Sequence, residues 1–180
     1  MSSPDTAQAF ELTPKAIIPG RECAECSLCC KTIDVPELAK PAGRWCGNAK
    51  PGKGCAIHDT RPSACRSFDC YWRLEQRLGP EWKPDRARFV LATLMPSGVL
   101  AVLVDPGQPL AWRREPYLTQ IRHWADEAIR ARSQVLLMNG KRASVILPQS
   151  ELEVGVLEAG DAIELRQSNG VYSAHLRKAS

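Results

Sequence analysis

Eight cysteines are the residues of this sequence with the greatest capacity for chemistry, and all of them fall between Cys23 and Cys70. Thiolates are nucleophiles and soft metal ligands, so a dense set indicates disulfides, a redox centre or a metal site. Disulfides require an oxidising compartment and therefore export. Residues 1–10 are mostly polar, and no apolar run with a basic flank follows them. We therefore expect no secretory signal, a cytoplasmic location, and metal binding rather than disulfides.

The first four cysteines lie close together in the sequence: Cys23, Cys26, Cys29 and Cys30. A C-x2-C spacing lets two sulfurs face one ion across a tight turn, and here that spacing occurs twice in succession. Adjacent side chains usually point apart. Cys29 and Cys30 are therefore expected to serve either two different metals or two sides of one cluster.

The other four cysteines are spaced for loops rather than for one helix: Cys46, Cys55, Cys65 and Cys70. Gly47 and Gly54 flank two of them, and we expect glycine there to let backbone N–H groups approach a sulfur. Two zinc sites of about four thiolates each would use every cysteine, whereas one iron–sulfur cluster would leave some unused. Eight thiolates would outweigh the formal net charge of +4, so metal cations are needed as compensation.

Residues 23–30 read C-x2-C-x2-C-C, and this literal pattern resembles the signature of the CxxCxxCC (YkgJ-like) cysteine-cluster family of zinc- or iron-chelating proteins. Three later segments extend the resemblance: residues 43–46 read G-R-W-C, residues 54–58 read G-C-A-I-H, and residues 61–70 read R-P-S-A-C-R-S-F-D-C. His58 stands where a tyrosine is common in the family. The resemblance covers roughly residues 21–72 and does not extend to the C-terminal part of the chain.

The resemblance implies metal chelation as the shared property. Some members look like flagellin lysine N-methylases, which implies a cluster-dependent methyl transfer in a subset. The leading hypothesis is therefore a protein that chelates zinc or iron through all eight cysteines. The alternatives are an iron–sulfur enzyme, either an oxidoreductase or lysine N-methylase-like, and a zinc-stabilised interaction module. We expect His58 to lie at the surface or to orient a ligand rather than to bind metal.

Composition restricts the partners. No stretch approaches the ~20 apolar residues that a membrane span needs. The net charge is small and the basic residues are scattered along the chain, which disfavours nucleic acid. We expect a metal ion as the principal partner, and the C-terminal module as the surface for any protein partner.

The sequence divides into three parts by composition. Residues 1–20 are predicted to form a flexible tail. Residues 21–80 are rich in loop-forming residues and poor in apolar ones, which predicts a small irregular domain whose metal substitutes for a core. Residues 81–180 are predicted to form an α+β module of antiparallel hairpins with one amphipathic helix.

Turn residues predict three hairpins in the C-terminal module. Pro96-Ser97-Gly98 separates two apolar, partly β-branched segments, residues 89–95 and 99–104. Asn139-Gly140 and Asn169-Gly170 each separate two further strand-like segments and favour two-residue turns.

Two helices are predicted from periodicity and end signals. The longer helix is predicted over residues 116–132. Its spacing places four apolar side chains on one face: Tyr117, Ile121, Trp124 and Ala128. Proline at its start suits a first helical turn. The shorter helix is predicted over residues 71–78, because Gly79 and Pro80 follow it directly.

Overall fold

The computed structural model describes residues 16–94 and 97–179, so most of the predicted tail and Pro96 of the first predicted turn lie outside the described residues. The α-helices are α1 (Cys29–Thr32), α2 (Ser63–Arg66), α3 (Tyr71–Leu74), α4 (Pro84–Ala87) and α5 (Tyr117–Arg130). The strands are β1 (Ala49–Lys50), β2 (Gly54–Cys55), β3 (Phe89–Leu94), β4 (Val99–Val104), β5 (Val135–Asn139), β6 (Arg142–Ile146), β7 (Glu151–Val156), β8 (Ala162–Ser168) and β9 (Val171–Arg177). Single 3-10 turns lie at Pro36–Leu38, His58–Thr60, Pro80–Trp82 and Ala111–Arg113.

Five strands form the central sheet, in the order β3-β4-β5-β6-β7. Its neighbouring strands are antiparallel except for β4 and β5, which are parallel and are joined through α5. A parallel pair needs a long crossover of this kind. The pairs β1–β2 and β8–β9 form separate two-stranded sheets. The predicted α+β class, with antiparallel hairpins and one long helix, is confirmed.

Both faces of the central sheet are buried, because successive apolar residues of a strand point to opposite sides. On β3, Phe89 and Leu91 belong to one hydrophobic cluster, whereas Val90 and Ala92 belong to the other. The helix-side cluster includes Phe89, Leu91, Val102, Trp112, Ile121 and Trp124. The cysteine-side cluster includes Leu28, Val90, Ala92, Ala101, Leu103, Leu136 and Val145, with Cys26 and Cys70 packed against it.

Helix α5 covers the helix-side cluster. Tyr117, Ile121 and Trp124 are buried, as the period of the sequence predicted, and Ala128 packs against them. The ring of Tyr117 makes edge-on contacts with Trp82 and Phe89, with centroids 4.9 Å and 5.1 Å apart. In the described ranges no helix, α5 included, is long and apolar enough to cross a membrane.

The three predicted hairpins are present, closed by the pairs Leu94–Val99, Asn139–Arg142 and Ser168–Val171. In the last hairpin Asn169 and Gly170 form the loop, with φ values of 50° and 78°, as a type I′ turn requires. In the middle hairpin the loop residues are Gly140 and Lys141, one position later than predicted. The positive φ of 60° at Gly140 lets the chain reverse there.

The helix predicted over residues 71–78 ends after one turn, at Leu74. Glu75 has an extended backbone, with φ −112° and ψ 109°. The Arg21 guanidinium donates hydrogen bonds to carbonyl oxygens of this segment, those of Trp72, Glu75, Gln76 and Leu78. A side chain distant in sequence therefore bonds carbonyl groups in α3 and in the segment after it, and no local pattern reveals it.

We expect Arg21→Met to lower the free energy of unfolding by about 1.5–3 kcal/mol, because several carbonyls lose a charged donor. Urea unfolding monitored by circular dichroism measures this change. The matched control is Arg66→Met, since Arg66 is exposed in α2. Equal stabilities of the two variants would show that the Arg21 contacts contribute nothing.

The cysteine-bearing segment packs directly on the sheet. Leu28 is buried in the cysteine-side cluster. Lys31 of α1 forms an ion pair with Asp105, which follows β4, and both side chains are nearly buried. Gly43 lies so close to Gly140 that an added Cβ would be 3.3 Å from the Gly140 Cα atom. These contacts join residues on both sides of the predicted boundary between residues 21–80 and 81–180. That boundary stays a prediction.

Candidate metal centre

All eight cysteines line one cavity of about 80 Å³. Each of them is a free, half-buried thiol. Apolar side chains form much of the remaining wall: Ile33, Val35, Leu38, Ile57, Phe68 and Trp72. The predicted ligands therefore converge from separate segments of the chain into one partly dehydrated space.

A tight turn and a short helix present the first four cysteines. The backbone N–H of Cys26 donates to the carbonyl oxygen of Cys23 over 2.7 Å, which closes the turn between them. The left-handed backbone of Ala24, with φ 39°, allows that reversal. Cys29 and Cys30 then begin α1, so their side chains leave the helix about 100° apart.

The loop after α1 returns to the same cavity. The N–H of Cys46 donates to the carbonyl oxygen of Cys30 over 3.0 Å. The carbonyl oxygen of Cys46 in turn accepts from the N–H of Ala49, also over 3.0 Å. Ala49 pairs with Cys55 across β1 and β2. The small hairpin therefore holds Cys55 beside the strand that continues from Cys46.

The last two cysteines are positioned by α2 and α3. Cys65 lies within α2, whose first turn is held by the Glu37 carboxylate. The Ser63 hydroxyl and the Ala64 N–H both donate to Glu37 Oε1, over 2.7 Å and 3.1 Å. Cys70 directly precedes α3 and accepts a backbone hydrogen bond from Arg73 over 2.9 Å.

Gly54 is required by a backbone contact within the centre. Its φ is +92°, and a Cβ added there would lie 2.7 Å from the Ala24 carbonyl oxygen. The hairpin of β2 therefore touches the turn that carries Cys23 and Cys26. At Gly47, by contrast, an added Cβ would meet nothing within 4 Å, and the approach of backbone N–H groups to a sulfur at these two glycines stays a prediction.

We expect Gly54→Ala to separate the two cysteine loops and to reduce bound metal. The clash should cost about 1–3 kcal/mol beyond the strain of a positive φ. Gly52→Ala is a matched control, because Gly52 has φ +73° but open space around its Cβ position. Metal content and urea midpoints of both variants test this. Identical behaviour of the two variants would contradict the proposed contact.

Burial keeps several of these thiols protonated in the absence of a metal charge. It raises the pKa of Cys70 to about 12 and also raises the pKa of Cys26. The pKa of Cys65 is raised by burial and then by the neighbouring charges of three other cysteines: Cys30, Cys46 and Cys55. A cation that neutralises the thiolates would remove this cost, because metal ligation requires deprotonated sulfur.

Cys29 and Cys30 form a hydrogen-bonded pair of thiols. The hydrogen bond from Cys29 lowers the pKa of Cys30 to about 7, and the same bond raises the pKa of Cys29. Burial opposes this lowering of the Cys30 pKa, whereas the charge of Lys40 adds to it. The Cys30 thiol is therefore the first of the two to lose its proton.

Lys40 is a buried ammonium group beside the cavity, and sequence reasoning missed it. The residue is only 5% exposed, and its Nζ donates to the carbonyl oxygens of Lys31 and Ile33. Burial lowers the pKa of Lys40, while the charges of Cys30 and Cys46 oppose that effect. Buried charges need partners of opposite sign. Lys40 is thus placed to compensate thiolates, and nothing in its sequence context distinguishes it from an exposed lysine.

Two further cations face other cysteines. Burial has the largest effect on the pKa of Cys26 and raises it; the charge of Asp85 also raises it, and the charge of Lys83, which is paired with Asp85, lowers it. The charge of Arg73 acts similarly on Cys70, and Arg73 also forms an ion pair with Asp69. Both cations line the cavity wall.

His58 lies at the edge of the cavity, with a side chain 53% exposed. Its Nε2 is 3.0 Å from a guanidinium nitrogen of Arg61, and its Nδ1 is 3.3 Å from Asp59 Oδ1. Both ring nitrogens therefore have partners outside the cysteine set. This placement agrees with the expected surface role.

Within residues 16–94 and 97–179, no three Cys, His, Asp or Glu side chains are arranged so as to hold one ion already. The cavity gathers the eight thiols without arranging any three of them around one point. No family model, curated protein or solved structure matches the chain. The fold and the cavity thus define an α+β protein with a cluster of eight free cysteines, and the family resemblance stays a prediction.

Proposed function

We propose that this protein binds zinc or iron through the thiolates of its eight cysteines. The observation that carries the proposal is the convergence of all eight, as free half-buried thiols, on one cavity. Cysteines that served only as small apolar residues would have no reason to share a cavity. Soft thiolate ligands favour zinc and iron–sulfur clusters over hard cations such as magnesium and calcium.

The surroundings of the cysteines suit a metal–thiolate centre. Apolar walls limit water access, which strengthens the attraction between a cation and the thiolates. The buried Lys40 adds positive charge beside Cys30 and Cys46. Zinc bound in the cavity would cross-link the cysteine-bearing loops. An iron–sulfur cluster would also cross-link them and could in addition transfer electrons. A cytoplasmic location is part of the proposal, since a reducing compartment keeps such thiols free.

An iron–sulfur enzyme is the second candidate. The observation in its favour is the apolar wall that extends beyond the cysteines and includes Leu38 and Ile57. Such a wall could border a substrate. Both an oxidoreductase and a lysine N-methylase-like enzyme would need such a substrate-binding wall. The zinc-stabilised interaction module has no specific observation in its favour.

The deciding experiment is elemental analysis and absorption spectroscopy of protein purified without oxygen. About two zinc ions per chain and no visible band would support the first candidate. Iron with matching acid-labile sulfide and a broad visible band would support the second. Cys65→Ser should lose metal, whereas the control Ser67→Ala, two residues further along the same segment, should not. Metal-free protein with eight reactive thiols would refute both candidates.

A further inference from the structure

We infer that the free edge of β8, with the groove beside it, binds an extended acidic peptide segment of a partner protein as an added β-strand. The groove is lined by residues between 97 and 172 and contains none of the eight cysteines. The inference therefore goes beyond the proposed metal binding and does not depend on it.

The register of the β8–β9 hairpin determines which backbone groups of β8 point outward. A two-residue turn joins the strands, and the pair Ser168–Val171 closes it. In a hairpin of this type the closing pair exchanges both of its hydrogen bonds, and bonded pairs then alternate along the ladder. The N–H and C=O groups of Ile163, Leu165 and Gln167 therefore point away from β9.

One side-chain contact agrees with this outward direction. Gln134, which lies outside the hairpin, donates from its Nε2 to the carbonyl oxygen of Ile163 over 3.1 Å. Further along the edge, the outward groups of Leu165 and Gln167 form no hydrogen bond with any residue in the ranges 16–94 and 97–179. An unpaired edge of this kind is a template on which another strand can form.

A groove of about 520 Å³ follows the same edge. Ile163 and Gln167 lie on its hairpin side, Gln134 lies across from them, and Val99 and Ile129 add apolar surface. An extended chain covers about 13 Å from Ile163 to Gln167, so the edge can pair with roughly four residues of an added strand. Strand addition takes affinity from main-chain hydrogen bonds and specificity from alternate side chains. The groove therefore suits an extended peptide.

The charges around the groove favour an acidic occupant. Arg132 and Arg166 belong to its lining, and none of the described residues that line it is an aspartate or a glutamate. Arg166 is already paired with the Glu164 carboxylate. Arg132 is exposed and forms no ion pair within the described part of the chain. The guanidinium of Arg132 can therefore pair with a carboxylate of the added strand.

The test uses the full-length ¹⁵N-labelled protein and a synthetic hexapeptide, EVTVEV, acetylated and amidated at its ends. We expect saturable binding, with amide shifts concentrated at Leu165 and Gln167. Two matched peptides should bind at least about tenfold more weakly: KVTVKV, which has the opposite charge, and EVTVEV N-methylated along its backbone, which cannot donate to the edge. Absence of saturable binding would overturn the inference. Equal binding of the N-methylated peptide would also overturn it, because the groove would then take an acidic molecule without strand pairing.

Protein variants separate the edge from the charge. Gln167→Pro removes one outward N–H, which an edge strand tolerates, and should weaken EVTVEV binding about fivefold. Arg132→Gly should weaken it about threefold to fivefold, since an exposed charge is lost. The φ of 56° at Arg132 suits glycine, so the fold is kept. Arg177→Ala is the control, because Arg177 is exposed on β9 outside the groove lining.

Equal affinity of EVTVEV for all three variants and the parent would overturn the site. A dimer of the unliganded protein that Gln167→Pro dissociates would overturn it as well, because a second copy of the chain would then occupy the edge. Metal content should be unchanged in every variant, so failure of this inference is distinguishable from failure of the proposed function.

Discussion

Removing the metal should open residues 21–70 to solvent while the central sheet stays folded. Within that segment, only Leu28 and Val35 are fully buried apolar side chains, whereas the sheet strands supply most of the core. Two such side chains contribute about 1.5–3 kcal/mol each. Structural zinc in small domains contributes about 10–16 kcal/mol at neutral pH. If the proposed metal binds, it is therefore expected to be the dominant stabilising contact of the cysteine segment.

Hydrogen exchange measured by mass spectrometry, before and after chelation, tests this expectation. Amides of residues 21–70 should lose protection, and those of β3, β4 and β5 should keep it. Adding zinc back should restore the original pattern, which controls for irreversible damage. Unchanged protection of residues 21–70 after verified metal loss would show that the segment is held by other forces.

Asp105→Ala should lower the free energy of unfolding by about 3–5 kcal/mol, because it leaves a nearly buried charge without its partner. Asp105 is 7% exposed and pairs with Lys31 of α1. Its Oδ1 also accepts a hydrogen bond from the Gly107 N–H over 2.8 Å. Since Lys31 directly follows Cys30, loss of the pair should also reduce bound metal.

Urea unfolding of the metal-loaded protein measures the effect of this substitution. Glu153→Ala is the control, because the ion pair of Glu153 with Arg142 has both side chains more than two-thirds exposed. Such surface pairs contribute about 0–1 kcal/mol. Adding Lys31→Met to Asp105→Ala should recover part of the stability, since no unpaired charge then remains. A cost below about 1 kcal/mol for Asp105→Ala alone would refute a structural role for the pair.

Local signals were sufficient for the hairpins and the long helix. Asn169-Gly170 adopts the positive φ values that its residue types favour. Helix α5 buries Ile121 and Trp124 because the 3.6-residue period places them on one face. Strand β7 was missed, although residues 151–156 alternate between acidic or small and apolar residues, which is a period-two signal.

Contacts between distant segments were not predictable in the same way. The parallel pairing of β4 with β5 depends on how α5 packs, and the carbonyl groups in and after α3 are bonded by Arg21, which is more than 50 residues distant in sequence. The turn of Cys23–Cys26 meets the hairpin of Gly54 only in three dimensions. The burial of Lys40 likewise follows from loop packing that no local pattern encodes.

X-ray absorption at the zinc and iron edges of anaerobically purified protein tests the central claim most directly. Thiolate ligation by the cysteine cavity predicts a nearest shell of sulfur alone, about four sulfur atoms at ~2.3 Å for zinc. An iron–sulfur cluster would also show sulfur neighbours, together with an iron–iron distance. A shell dominated by nitrogen or oxygen, or the absence of either metal from the protein, would contradict the account.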